Sequence, residues 1–206
     1  MDFVPRWHRY GERGVLFDFD DAKEVQRNAA RVRAAGFAVE CVAGASTVYV
    51  EGRDRAIEKL VADALVAFAE PAGNEDVKEV RLHTVLCRYD GEDLGSVADL
   101  AGISEAEVVE RHCAPTYVVA FVGFSRGFPY LSGLDPLLVV PRLATPRISV
   151  PAGSVGTGAG YTGIYPMQSP GGWRLLGRTD AVVFDPTDDP PNRFEIGDHV
   201  RFVAIS

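Results

Sequence analysis

Two arginines, Arg142 and Arg147, bracket the tetrapeptide Leu-Ala-Thr-Pro within a stretch, 123–179, that is dense in glycine, proline and aromatic residues. A guanidinium presents a planar fork of donors that matches a carboxylate or a phosphate. Residues five apart face opposite sides of a regular strand, so a shared anion requires the bend that Pro146 supplies. Arg126 lies between two turns in Gly-Phe-Ser-Arg-Gly and is predicted to point into a cleft. Phe124, Phe128, Tyr130 and Trp173 supply apolar faces for a core, an interface or a pocket lining. His112 precedes this region at the end of a predicted helix, a place that favours an imidazolium with no chemistry at all. The chemistry these residues imply is recognition and electrostatic stabilisation of an anion.

Other motifs fall away on context. Gly158-Ala-Gly-Tyr-Thr-Gly163 matches a dinucleotide fingerprint, but Ile164-Tyr-Pro166 forbids the helix that such a loop must open. Ala152-Gly-Ser-Val-Gly156 lacks the first glycine of a nucleophile elbow and also has no helix after it, so Ser154 reads as a turn serine. There is no Walker loop. The four histidines and three cysteines show no zinc spacing, and no metal site is expected. The formal charge of −8 argues against a nucleic-acid partner, and no polybasic run or long apolar run points to a membrane. Met-Asp-Phe-Val-Pro has none of the marks of a signal peptide, and Cys41, Cys87 and Cys113 read as reduced thiols. Both point to a cytoplasmic protein.

The elements that must position these residues form an α+β chain. Arg13–Phe19 reads as a strand, and Asp21–Ala35 as a helix closed by Gly36. Two strands follow over 37–43 and 46–51. Asp54 is predicted to cap a helix with an apolar stripe at Ile57, Leu60, Val61, Ala64, Leu65 and Phe68, stopped by Pro71. A last strand over 77–87 completes β-α-β-β-α-β, a ferredoxin-like lobe over 1–88. A helical linker spans 96–113, where Ser104-Glu-Ala-Glu107 is a capping box with an Ile103/Val108 staple. From Thr116 onward, short runs such as 116–122, 181–184 and 199–203 alternate with turns, and an all-β barrel is predicted over 89–206.

The ordered motifs resemble one family. They are Gly123-Phe-Ser-Arg-Gly-Phe-Pro-Tyr-Leu131, Arg142-Leu-Ala-Thr-Pro-Arg147, Val150-Pro-Ala-Gly-Ser-Val-Gly156, Thr162-Gly-Ile-Tyr-Pro166 and Ser169-Pro-Gly-Gly-Trp173. Over about 80–206 the chain resembles the 5-oxoprolinase B-subunit family, which also covers allophanate hydrolase subunit 1 and sporulation-kinase inhibitors. Arg126 stands where that family commonly has proline. The resemblance implies a cyclophilin-like barrel, a stable complex with a homologous C-subunit, a further A-subunit, and ATP-dependent opening of 5-oxoproline to glutamate. Two alternatives accompany it, a component of an allophanate or urea-derivative amidohydrolase and an inhibitor of a sensor histidine kinase. The ATP-dependent reaction needs cations to hold phosphate and carboxylate, and Arg142, Arg147 and His112 are the residues expected to act in catalysis. Phe124, Arg126, Phe128, Tyr130, Thr145, Gly153, Ser154, Gly156 and Tyr165 are assigned to substrate binding. The amides of 153–158 are expected to meet developing negative charge, and ATP is expected to be shared with the partner subunits.

Overall fold

The computed structural model describes residues 5–53, 56–70 and 80–206, in two compact units, Met1–Glu79 and Val80–Ser206. The first unit contains β1 (Trp7–Tyr10), β2 (Gly14–Asp18), α1 (Ala22–Ala35), β3 (Glu40–Ala43), β4 (Thr47–Glu51) and α2 (Ile57–Ala69). Its antiparallel sheet runs β1-β2-β4-β3. Asp21 caps α1 by accepting from the Lys23 amide at 2.9 Å. Gly36 ends the helix at φ 68°, where a Cβ would be strained. The core packs Val15, Phe17, Val48 and Val50 against Val25, Ala29, Val32, Leu60 and Ala64. This is the ferredoxin-like arrangement with one change. The edge beside β2 is filled by β1, arriving as a hairpin from the N-terminal side, and not by a strand from 77–87. All four residues of β1 are exposed, so no alternation marks the strand in the sequence. Asp54, Pro71 and Val77, which figured in the sequence reading, lie outside the described residues.

The second unit contains β5 (Leu82–Arg88), α3 (Leu94–Ala101), α4 (Glu105–Cys113), β6 (Tyr117–Val122), β7 (Pro129–Ser132), β8 (Arg147–Val150), β9 (Ser154–Gly158), β10 (Tyr161–Ile164), β11 (Ser169–Gly171), β12 (Arg174–Arg178) and β13 (His199–Ile205). Seven of these strands close a barrel in the order β10-β7-β6-β13-β5-β12-β9, and β8 and β11 form a separate ribbon. Strand β5 belongs to this barrel. It runs parallel to β13 from Leu82 opposite His199 to Arg88 opposite Ile205. The buried Asp198 carboxylate holds the start of this pair, accepting from Arg81 at 3.1 Å and from the Glu195 amide at 3.0 Å. The division therefore falls between 79 and 80, and the expected boundary at 88 is corrected. An alternating pattern marks a strand without saying which sheet receives it.

The expected linker 96–113 is also corrected. Helices α3 and α4 cover the barrel, with Leu94, Val97, Ala98 and Val108 buried in the same core as Val85, Leu131, Ile164 and Phe202. Ser104 caps α4 as its sequence predicts, accepting from the Glu107 amide at 3.2 Å. Residues 181–184 form no strand, only one isolated bridge between Phe184 and Asn192. A register shift between Val119 and Phe121 in the β6–β7 pair has a positional effect. Before the shift, Tyr117 and Val119 face the barrel core; after it, Phe121 stacks on Tyr130 outside that core.

Candidate functional site

An aromatic face lies on the outer wall of the barrel where β6, β7, β9 and β10 meet. Phe121 and Tyr130 are register partners and stack at 4.2 Å, with the Tyr161 ring edge-on to both at 5.4 and 5.7 Å. Phe128 sits behind Tyr130 and meets Tyr165 and Trp173 edge-to-face at 5.0 and 5.2 Å. The backbone explains why Trp173 can lie here. A Cβ on Gly158 would stand 2.5 Å from the indole, and one on Gly163 would meet both Phe128 and the indole at 3.1 Å. The glycines of the dismissed fingerprint thus make a bed for an aromatic ring, and Ala159-Gly160 forms the hairpin turn, with φ 53° and 82°.

Arg142 is held beside this face by backbone anchors on either side. The Pro141 carbonyl accepts from Arg174 Nε at 2.8 Å, and the Leu143 amide donates to the Gly172 carbonyl at 2.9 Å. The Arg142 side chain is exposed and has no ion pair among the described residues. Burial raises the pKa of Tyr130, and the Arg142 charge works against that rise. The same pair of causes acts on Tyr165, where the Trp173 backbone adds a hydrogen bond. Arg142 is therefore a free cation on the rim of an apolar surface. Phe124 projects at the margin, 62% exposed at φ 66° and edge-on to Phe128 at 5.5 Å. Arg126 and Thr145 are exposed in the adjoining loops, and Arg126 likewise has no ion pair among the described residues.

The structure does not bring the rest of the expected set to this rim as working groups. Arg147 is paired within the fold, bound to Glu92 at 2.6 Å, to Asp93 at 2.7 Å and to the Trp173 carbonyl at 3.3 Å. Asp93 also accepts from the Leu175 amide at 2.7 Å, so this cluster fastens the start of α3 to β8 and β12. The 153–158 amides are structural as well. The Gly153 amide donates to Tyr165 and the Ser154 amide to Pro151, and Gly156 lies in a strand paired on both sides. Ser154 is buried at the start of β9, with no elbow geometry. Tyr165 is 1% exposed and lies beneath Gly171, so it supports the face and offers it no free surface.

His112 is a core residue. The Thr162 hydroxyl donates to the Gly156 carbonyl at 3.0 Å and so accepts from His112 Nε2 at 2.8 Å. That fixes the proton on Nε2 and makes Nδ1 the acceptor for the Tyr89 hydroxyl at 2.7 Å. Tyr89 in turn meets Cys113 Sγ at 3.2 Å. Burial alone drives the imidazole pKa down to about 3. A neutral histidine with both nitrogens committed inside the barrel does not exchange protons with a substrate outside it. Phe121 and Tyr161 are not among the sequence-predicted site residues: Phe121 is only 8% exposed and lies in a continuous apolar strand that reads as core, and the bulge that sets its ring against Tyr130 has no composition signal. Among the described residues no group of His, Cys, Asp and Glu could hold a metal ion. No helix among them is long and apolar enough to cross a membrane.

Residues 5–194 match the family model described as carboxyltransferase domain, subdomain C and D. The chain is 38% identical over 209 aligned residues to the 5-oxoprolinase B-subunit of Escherichia coli O157:H7, covering 96% of this chain and 95% of that one. Among solved structures, the crystal structure of TTHA0988 superposes with a TM-score of 0.80 at 32% identity, over 95% of this chain. The chain spans only 40% of TTHA0988. The K. lactis urea amidolyase superposes equally well, TM-score 0.80, over 97% of this chain and 15% of its own, but at 21% identity that likeness is one of fold.

Proposed function

This chain belongs to the carboxyltransferase domain family, subdomain C and D, and from that membership we propose that it is the B-subunit of a multi-subunit 5-oxoprolinase. In that assembly it works with an A-subunit and a homologous barrel protein, the C-subunit, to open 5-oxoproline to glutamate at the expense of ATP. The near full-length similarity to a 5-oxoprolinase B-subunit supports the reading. The observation that carries it in the structure is the free Arg142 guanidinium beside the Phe121–Tyr130–Tyr161 face. 5-Oxoproline is a small, nearly flat lactam with one carboxylate. Its ring fits an aromatic surface and its carboxylate a guanidinium fork. The likeness to urea amidolyase is one of fold and does not favour allophanate as the substrate.

The face binds and orients; it does not complete a reaction. A lactam is resonance-stabilised, so hydrolysis needs activation of its oxygen and a positioned water. The neighbours of Arg142 that its charge acts on are Tyr130 and Tyr165, which suits a unit that binds and supplies one wall of a divided site. The triphosphate of ATP does not fit the residues here. The 153–158 amides are engaged and Arg147 is paired, leaving Arg142 and Arg126 as single exposed cations. We therefore assign ATP to the partner subunits. The test is co-expression with the A- and C-subunits, followed by measurement of glutamate from 5-oxoproline with and without ATP. ATP-dependent glutamate formation that disappears when this chain is omitted is the expected result. A well-formed complex without turnover would overturn the proposal.

A further inference from the structure

A second site lies where the barrel seam splits. Strand β12 pairs with β5 at one register position, Arg178 opposite Arg88. Beyond it the chain turns away, and the Thr179 amide donates to the Gly153 carbonyl at 2.8 Å and not to β5. The gap that opens is a groove of about 420 Å³, in the range of small-molecule sites, lined by Thr84, Leu86, Arg88, Arg178, Asp180 and Ile205 with the backbone between.

The charges in this groove are unusual. Two arginines sit directly opposite each other across a strand pair, an arrangement that costs stability unless an anion offsets it. Asp90 neutralises Arg178 at 2.8 Å, but Arg88 has no ion pair among the described residues. Asp180, lining the same groove, has none among them either. Among the described residues the groove thus holds one free cation and one free anion that do not reach each other, over a floor of Leu86, Ile205 and Ala181. A simple anion would meet Arg88 but be repelled by Asp180. A zwitterion answers both. We propose that this groove binds a free α-amino acid, with its carboxylate on Arg88 and the shared edge of Arg178, its ammonium on Asp180 and an aliphatic side chain on the apolar floor.

The proposal is independent of the aromatic face and is tested on the full chain by calorimetric titration with L-leucine, its amide (no carboxylate) and 4-methylpentanoate (no ammonium). Leucine is expected to bind at micromolar to millimolar concentration. The amide and the acid are each expected to bind at least about tenfold more weakly, the scale of one charge-assisted hydrogen bond. Arg88→Gln should weaken leucine by a similar factor, and Asp180→Asn should weaken leucine while leaving 4-methylpentanoate unchanged or stronger. Arg142→Ala should change none of these values. Both groove positions are exposed, so an unchanged melting temperature verifies the fold of each variant. No leucine binding at millimolar concentration, equal binding of leucine and its amide, or equal binding of leucine and 4-methylpentanoate would overturn the assignment.

Discussion

Single side chains in this protein divide sharply between those that hold it together and the few left free. Arg147 is of the first kind. Removing it leaves Asp93 buried with one partner fewer, so Arg147→Ala is expected to cost about 2 kcal/mol in urea unfolding, below the range for fully buried pairs because the site is partly hydrated. His112 makes a pH prediction. Its folded pKa lies near 3, below the ordinary 6.5, so the native state stays neutral while the unfolded chain takes up a proton. The stability this confers is complete above pH 6.5 and is lost as pH falls toward 3, at up to about 1.4 kcal/mol per pH unit. Urea midpoints measured from pH 7 to pH 4 should fall less steeply in His112→Asn than in the parent, though the variant starts lower for want of its ring packing. Equal slopes would contradict the core assignment.

At the scale of elements, much was legible and the misses have physical causes. The caps at Gly36 and Ser104 follow from local chemistry and are realised as local hydrogen bonds, whereas Asp21, which the sequence places inside the helix, caps it instead. Strand β6 follows from its apolar run, α4 from its capping box and α2 from its apolar stripe. Two things were not legible. The partner of β5 is set by a strand more than a hundred residues later, and pairing across such a distance leaves no mark in a local window. The bulge that sets Phe121 against Tyr130 is a register event with no residue signature. The glycines here do mark special backbone, but the 153–158 amides expected to meet negative charge are engaged in pairing, and Gly158 and Gly163 make room for Trp173. Gly163→Ala would push a methyl against the Pro129 carbonyl at 2.7 Å, where only a backbone shift relieves it. A loss of about 1–3 kcal/mol with altered near-ultraviolet dichroism of the aromatic cluster is expected. An unchanged spectrum would show that the bed is not needed.

The whole molecule is two cores, each built largely from its own segment of chain. Because β5 closes the barrel, a fragment beginning at 80 should fold cooperatively, whereas one beginning at 89 lacks the strand between β13 and β12 and should not. Dichroism and size-exclusion chromatography of the two fragments separate these outcomes, and a folded 89–206 fragment would contradict the topology. At this scale the functional account is that one barrel wall, an aromatic face with a free cation, serves a reaction completed by other subunits. Of the charged or titratable candidates, Arg142 and Arg126 are left without ion pairs among the described residues, while Arg147 and His112 are absorbed into structure. The most direct measurement is the kcat/KM for ATP-dependent glutamate formation from 5-oxoproline by the assembled complex carrying Arg142→Ala. The account predicts a fall of about tenfold or more, the cost of one charge-assisted contact, with assembly and melting temperature unchanged. Full activity in a well-assembled Arg142→Ala complex would contradict it.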